Sequence, residues 1–136
     1  MKKRILLVED DPFHAQVVCA ALKSKIGCGV HVVASEKDFR NEYEELWYAA
    51  ILDQMMPWTT EDDRDPFSGA PAEGPMRAGS RCYQMLKDKS LTKEVPVVFF
   101  TNLEQKTIPA GAHYVRKVTD PDLKKLIATI RQVIKP

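Results

Sequence analysis

Apolar residues in this chain come in short unbroken runs separated by polar stretches with helical spacing. Ile5, Leu6, Leu7 and Val8 form the first run, which ends abruptly at Glu9, Asp10, Asp11 and Pro12. A continuous apolar run bounded in this way predicts a strand buried on both faces. Asp11 is placed to cap a helix with Pro12 at its first position, and Val17, Val18, Ala21 and Leu22 then recur at helical spacing towards Gly27. The alternation continues with a strand over 30–34, a polar helix over 36–46 and an apolar strand over 48–52 that ends in Asp53. Beyond an interruption come a helix over 81–87, a strand over 95–100 closed by Thr101, and a fifth strand over 113–116. Asp120 and Pro121 open a last helix whose Leu123, Leu126, Ile127, Ile130 and Ile134 share one face.

Strands alternating strictly with helices predict a five-stranded parallel sheet covered on both sides, a doubly wound α/β domain. No internal repeat or second core is visible, so residues 1–136 are read as a single domain. With 44% hydrophobic residues the chain can bury a core without disulfide or metal staples. Cys19, Cys28 and Cys82 are odd in number and widely spaced, which argues against a disulfide framework or a structural zinc site. A net charge of +1 with no basic stripe gives no reason to expect nucleic acid or an acidic membrane surface as partner. The run at 5–8 is far too short for a signal peptide or membrane span. The expectation is a soluble, cytoplasmic protein.

The candidate chemistry lies at the strand ends. In open parallel sheets ligands bind outside the carboxyl ends of the strands, where the strand order reverses. Glu9 and Asp10 close the first strand, Asp53 the third and Thr101 the fourth, and Lys117 follows the fifth. In the order 2-1-3-4-5, strands one, three and four are neighbours at ~4.8 Å spacing, so these side chains converge within roughly 10 Å. Three crowded carboxylates raise one another's pKa and destabilise the fold unless a cation neutralises them. The donors on offer are oxygens, with no well-spaced His or Cys, so a hard divalent ion, magnesium, is favoured. Asp11 is assigned a capping role instead. His14, in the first turn of a helix, is assigned no functional role, and Trp47 and Tyr48 are read as packing residues.

These residues sit in segments that resemble the receiver domains of two-component response regulators: RILLVEDD at 4–11, ILDQMMP at 51–57, VVFFT at 97–101, GAHYVRK at 111–117 and DPDL at 120–123. Together they span nearly the whole chain in the family's order. The resemblance implies a flavodoxin-like sheet order 2-1-3-4-5. It also implies that Asp53 accepts a phosphoryl group from a phosphohistidine on a sensor histidine kinase or histidine phosphotransfer protein. Asp10, Asp53 and the main-chain carbonyl of Met55 would hold Mg2+, with Glu9 acting directly or through water. Lys117 would supply a cation and Thr101 a hydroxyl to the phosphoryl oxygens, and Tyr114 matches the family's switch aromatic. Such chemistry is mainly positioning and charge neutralisation.

Three features depart from the family. Residues 58–77 form an insertion longer than the ~12–15 residues at which an unstructured connection becomes uncommon. Its Pro66, Pro71, Pro75, Gly69 and Gly74, together with its acids, predict a solvated loop without regular elements. A sharper alternative is a lid in which Trp58 and Phe67 pack over the pocket. The fourth helix is confined to about 103–108, with Asn102 and Gln105 forming a capping box. Since the face built from helix four, strand five and helix five docks partners or a second copy in many relatives, no standard dimer is expected. Val118 follows Lys117 where the family commonly has a cis proline, so a trans peptide is expected there.

The leading expectation is a stand-alone, phosphorylation-switched signalling protein, not an enzyme acting on other substrates, that works in a phosphorelay or on an unnamed protein target. A receiver-fold docking module that is never phosphorylated is the alternative. A hydrolase passing through an aspartyl phosphate ranks last, because the segment 53–55 lacks the second acid that would protonate a leaving group.

Overall fold

A computed structural model describes residues 4–60 and 69–134. Five parallel strands, β1 (Arg4–Val8), β2 (Gly29–Val33), β3 (Ala49–Leu52), β4 (Val97–Thr101) and β5 (His113–Arg116), form one sheet in the order β2-β1-β3-β4-β5. Four α-helices cover it: α1 (Pro12–Lys25), α2 (Glu36–Glu42), α3 (Ala78–Asp88) and α4 (Lys124–Val133). Alternate strand residues feed two separate cores. Ile5, Leu7, Ile51, Val98 and Phe100 pack with Val18 and Leu22 of α1 and Leu126 and Ile130 of α4. Leu6, Val8, Leu52 and Phe99 pack on the opposite face with Phe39 of α2 and Cys82 and Leu86 of α3. Burial on both faces explains why the strands read as unbroken apolar runs. Among the described residues, no helix is long and apolar enough to cross a membrane.

Local signals set several boundaries and tertiary contacts set others. Asp11 caps α1 as expected, accepting from the N–H groups of Phe13 at 3.0 Å and His14 at 3.3 Å. Helix α2 stops at Glu42, short of the expected 46, because the indole of the buried Trp47 donates to the Tyr43 carbonyl at 2.8 Å and takes a helix-terminal acceptor. Helix α4 begins at Lys124 instead of at Asp120. Leu123 precedes it at φ 59°, and the Asp120 carboxylate reaches over to accept from Lys125 N at 3.0 Å and Leu126 N at 2.9 Å.

The expected helix at 103–108 is reduced to one 3-10 turn, Gln105–Thr107. Asn102 does not cap it; the Leu103 N–H donates to Thr101 Oγ1 at 3.3 Å. The turn is pinned from outside, by Gln54 Nε2 donating to the Thr107 carbonyl at 2.7 Å. The insertion is not wholly irregular either, since Pro75–Arg77 form a 3-10 turn leading into α3, which starts at Ala78 and not at 81.

That early start requires Gly79. A Cβ there would lie 2.5 Å from the Asp53 carbonyl oxygen and 2.7 Å from Gln54 Cα, so only glycine lets α3 approach the end of β3 this closely. Gly79→Ala is expected to destabilise the fold by about 1–3 kcal/mol through overpacking. This outweighs the ~1 kcal/mol alanine usually gains in a helix. A denaturant midpoint unchanged or raised would contradict it.

Candidate functional site

The parallel register brings the acidic residues together. Val8 aligns with Leu52, so Glu9 and Asp53 leave adjacent strands side by side. The Asp53 N–H donates to the Val8 carbonyl at 3.3 Å, and the Glu9 N–H to the Val33 carbonyl at 3.0 Å. Glu9 and Asp53 are buried, while Asp10 is exposed. The three carboxylates offer oxygens that all lie within 4.8 Å of one another.

Lys117, at the end of β5, reaches across this cluster. Its Nζ donates to Glu9 Oε1 and, at 2.7 Å, to Asp53 Oδ2. The peptide bonds of the described residues are all trans, including the one before Val118 as expected, and Lys117 still reaches Asp53. Glu9 Oε1 also accepts from His14 Nδ1 at 3.0 Å, and Oε2 accepts from the Asp11 N–H at 3.2 Å. Burial works to raise the Glu9 pKa, but the Lys117 hydrogen bond and charge together with the Asp11 N–H outweigh it and leave the carboxyl below its ordinary value. Burial opposes the charge on Lys117 too, yet Asp53 and Glu9 hold its ammonium above the ordinary lysine range. Asp10 goes the other way: partial desolvation of its carboxyl, then the neighbouring Glu9 charge, raises its pKa.

Three carboxylates against one ammonium leave the cluster anionic. The donor set is all oxygen and only Asp10 lacks a cationic contact, so the residues present fit a hard divalent cation. Met55 follows two residues after Asp53, and its N–H donates to Asp53 Oδ1 at 3.3 Å, closing a turn around the carboxylate.

Thr101 and Tyr114 converge on one residue. Thr101, buried at the end of β4, accepts from the Leu103 N–H, and the hydroxyl of half-buried Tyr114 donates to the Leu103 carbonyl at 2.8 Å. Two further residues hold the site without having been assigned to it from the sequence, His14 having been set aside and Gln54 given no role. His14 stacks on Phe100 with ring centroids 5.6 Å apart while holding Glu9. Gln54 is fully buried. Its Nε2 donates to Ser80 Oγ at 2.6 Å and to the Thr107 carbonyl, and its Oε1 accepts from the Ser80 N–H at 2.6 Å. Its adjacency to Asp53 was the sole sequence signal, because its partners lie 26 and 53 residues away.

The start of the insertion turns towards α2. The half-buried Trp58 ring lies under the Arg40 guanidinium at 5.1 Å, and its carbonyl accepts from the Lys37 N–H at 2.9 Å. This is not the packing over the Asp53 pocket that a lid required of Trp58. Phe67, the other residue of that reading, lies outside the described residues.

No family model matches the sequence, and no curated protein is similar to it. Solved structures are similar over essentially the whole chain. The BeF3-activated receiver domain of DrrB, a protein of Thermotoga maritima, matches at TM-score 0.70 and 24% identity, covering 100% of both chains. The receiver domain of sensor histidine kinase PA1611 from Pseudomonas aeruginosa, solved with a magnesium ion in its active-site cleft, matches at TM-score 0.69 and 20% identity, covering 98% of each chain. Response regulator TrrA from Thermotoga maritima, in complex with Mg2+ and BeF, matches at TM-score 0.71 and 17% identity, covering 96% of this chain and 98% of that one. The chain thus has the receiver-domain fold, with the sheet order 2-1-3-4-5 that the sequence motifs implied.

Replacing Lys117 with Met is expected to raise the pKa of the Glu9 carboxyl, read by carbon-13 NMR of the side chain. Glu9 with its lowered pKa stabilises the fold above the ordinary value of 4.5, and this contribution is lost as pH falls through the folded-state pKa. In the variant that loss begins at higher pH. An unmoved Glu9 titration would mean that Lys117 does not set it.

Proposed function

We propose that this protein is a phosphorylation-dependent signalling switch that accepts a phosphoryl group on Asp53 from a phosphohistidine donor. The carrying observation is the Lys117 ammonium lying directly on the Asp53 carboxylate, inside a cluster with Glu9 and Asp10 at the carboxyl ends of a parallel sheet. An Asp53 oxygen attacks phosphorus as the phosphorus–nitrogen bond breaks, and the bonding electrons return to the imidazole. Lys117 balances charge on the transferred oxygens, and its grip on Asp53 orients the nucleophile before the donor arrives.

Asp10, Asp53 and the Met55 carbonyl would hold Mg2+, with Glu9 bound directly or through water; the ion would supply charge neutralisation at the phosphoryl oxygens. Magnesium or BeF3 in several structural neighbours supports magnesium as the ion.

Thr101 and Tyr114 give the switch a route outward. When the Thr101 hydroxyl turns to a phosphoryl oxygen it releases the Leu103 N–H, and Tyr114 holds the carbonyl of that same residue. The signal leaves through protein contacts. The partners are a sensor histidine kinase or histidine phosphotransfer protein upstream and a protein target downstream, and no direct nucleic-acid contact is required. Dephosphorylation is self-catalysed, so the protein is a phosphoacceptor and not an enzyme with an external substrate.

Incubation with Mg2+ and acetyl phosphate is expected to add one phosphate by intact mass, and Asp53→Asn to abolish the addition. No uptake from acetyl phosphate or from a histidine phosphodonor would favour a docking module that is never phosphorylated. Steady phosphomonoester turnover would favour a hydrolase. Independently of phosphotransfer, Mg2+ at about 100 times its Kd is expected to stabilise the fold by about 2.7 kcal/mol. Asp10→Asn should weaken Mg2+ binding at least about tenfold in the same thermal titration, equivalent to 1.4 kcal/mol. Equal Mg2+ stabilisation of both proteins would remove Asp10 from the ligand set.

A further inference from the structure

Beside the Asp53 cluster, His14 holds a carboxylate that Lys117 also holds. Glu9 is 3% exposed, and three donors reach it. Lys117 Nζ and His14 Nδ1 both donate to the same oxygen, Oε1, the latter at 3.0 Å, while Oε2 accepts from the Asp11 N–H at 3.2 Å. An ionised carboxylate only accepts, so Nδ1 carries the proton of the His14 bond.

The imidazole is fixed in place from two sides. It sits in the first turn of α1, where its backbone N–H donates to the capping Asp11 at 3.3 Å, and its ring stacks on Phe100 of β4 with centroids 5.6 Å apart. Phe100 is 2% exposed, and the Lys117 ammonium stands over the same ring, 5.8 Å from its centroid. His14 and Lys117 thus meet at one buried ring and one carboxylate oxygen.

The two donors differ in what else they serve. Lys117 also bonds Asp53 Oδ2 at 2.7 Å, where charge builds up when Asp53 takes a phosphoryl group. Among the described residues, His14 Nδ1 bonds Glu9 and not Asp53. As Lys117 gives its charge to the transferred oxygens, Glu9 loses part of the cation that balances it. A buried carboxylate stripped of a partner costs free energy and is driven to turn towards water. A second, independently anchored donor on the same oxygen opposes that turn.

We propose that His14 is a positioning residue for phosphoryl transfer, keeping Glu9 aimed into the cluster while Lys117 serves the phosphoryl group. This role rests on Asp53 being the phosphoacceptor. His14 touches neither the phosphodonor nor the transferred group; it acts through Glu9.

Two variants separate the hydrogen bond from the ring. His14→Phe keeps the stacking on Phe100 and removes the donor, whereas His14→Asn keeps an N–H in the place of Nδ1 and removes the ring. Phosphate uptake from acetyl phosphate at saturating Mg2+, followed by intact mass on the full chain, is expected to slow about tenfold in His14→Phe, the effect of losing one hydrogen bond to a charged group. His14→Asn is expected to recover most of that rate. A second readout needs neither metal nor phosphodonor: the carbon-13 signal of the Glu9 carboxyl at neutral pH is expected to move in His14→Phe and to stay near its wild-type position in His14→Asn. Amide signals of the sheet, unchanged in both variants, report that each is folded. The proposal is overturned if His14→Phe takes up phosphate as fast as wild type, or if folded His14→Asn is as slow as His14→Phe. It is equally overturned if the Glu9 signal is the same in wild type and His14→Phe. No uptake by the wild-type chain would instead overturn the Asp53 assignment, and the His14 role with it.

Discussion

The Lys117 ammonium, shared between Glu9 and Asp53, is the contact on which the site depends. Parallel register forces these carboxylates together at the ends of β1 and β3, and burial raises the cost of keeping Glu9 charged. One cation from β5 offsets both. It leaves Asp10 with a raised pKa and the cluster with negative charge to spare. The same arrangement therefore leaves the cluster fit for a hard divalent ion.

A second layer of contacts holds this edge in place. Gln54 ties the residue after Asp53 to the start of α3 and to the turn that replaces a fourth connecting helix. Gly79 allows α3 to close on the Asp53 carbonyl. The Glu36–Arg81 pair and the bond from Glu36 N–H to the Pro57 carbonyl fasten the opening of the insertion to α2. The chain leaving Asp53 is thus gripped from three elements within a few residues.

The surface near Tyr114 is built differently from a helix-lined face. With a 3-10 turn between β4 and β5, the surface near Tyr114 is mostly loop, and its backbone is held by side chains: Thr101 and Tyr114 on Leu103, Gln54 on Thr107. A surface held by a few hydrogen bonds can adopt two arrangements at less cost than a packed helix, because fewer buried apolar contacts must be broken.

The apolar runs by themselves determined the strands, their burial on both faces and hence a doubly wound sheet, because strand periodicity and turn chemistry are local. The acids at the strand ends and the capping role of Asp11 were legible for the same reason. Tertiary structure decided what no window of sequence contains. Trp47 ended α2 early, Asp120 capped α4 from outside, and Gln54 with too short a connection replaced the helix expected at 103–108 by one turn. Trp58 lies under Arg40, which is itself anchored to the buried Glu36 carboxylate, and not over Asp53. The sequence placed Asp53 at the end of a strand; that Lys117 bonds Asp53 and Glu9 together, and that Gln54 ties the next residue to α3 and the 105–107 turn, depended on partners far along the chain that only the folded sheet brings within hydrogen-bond distance.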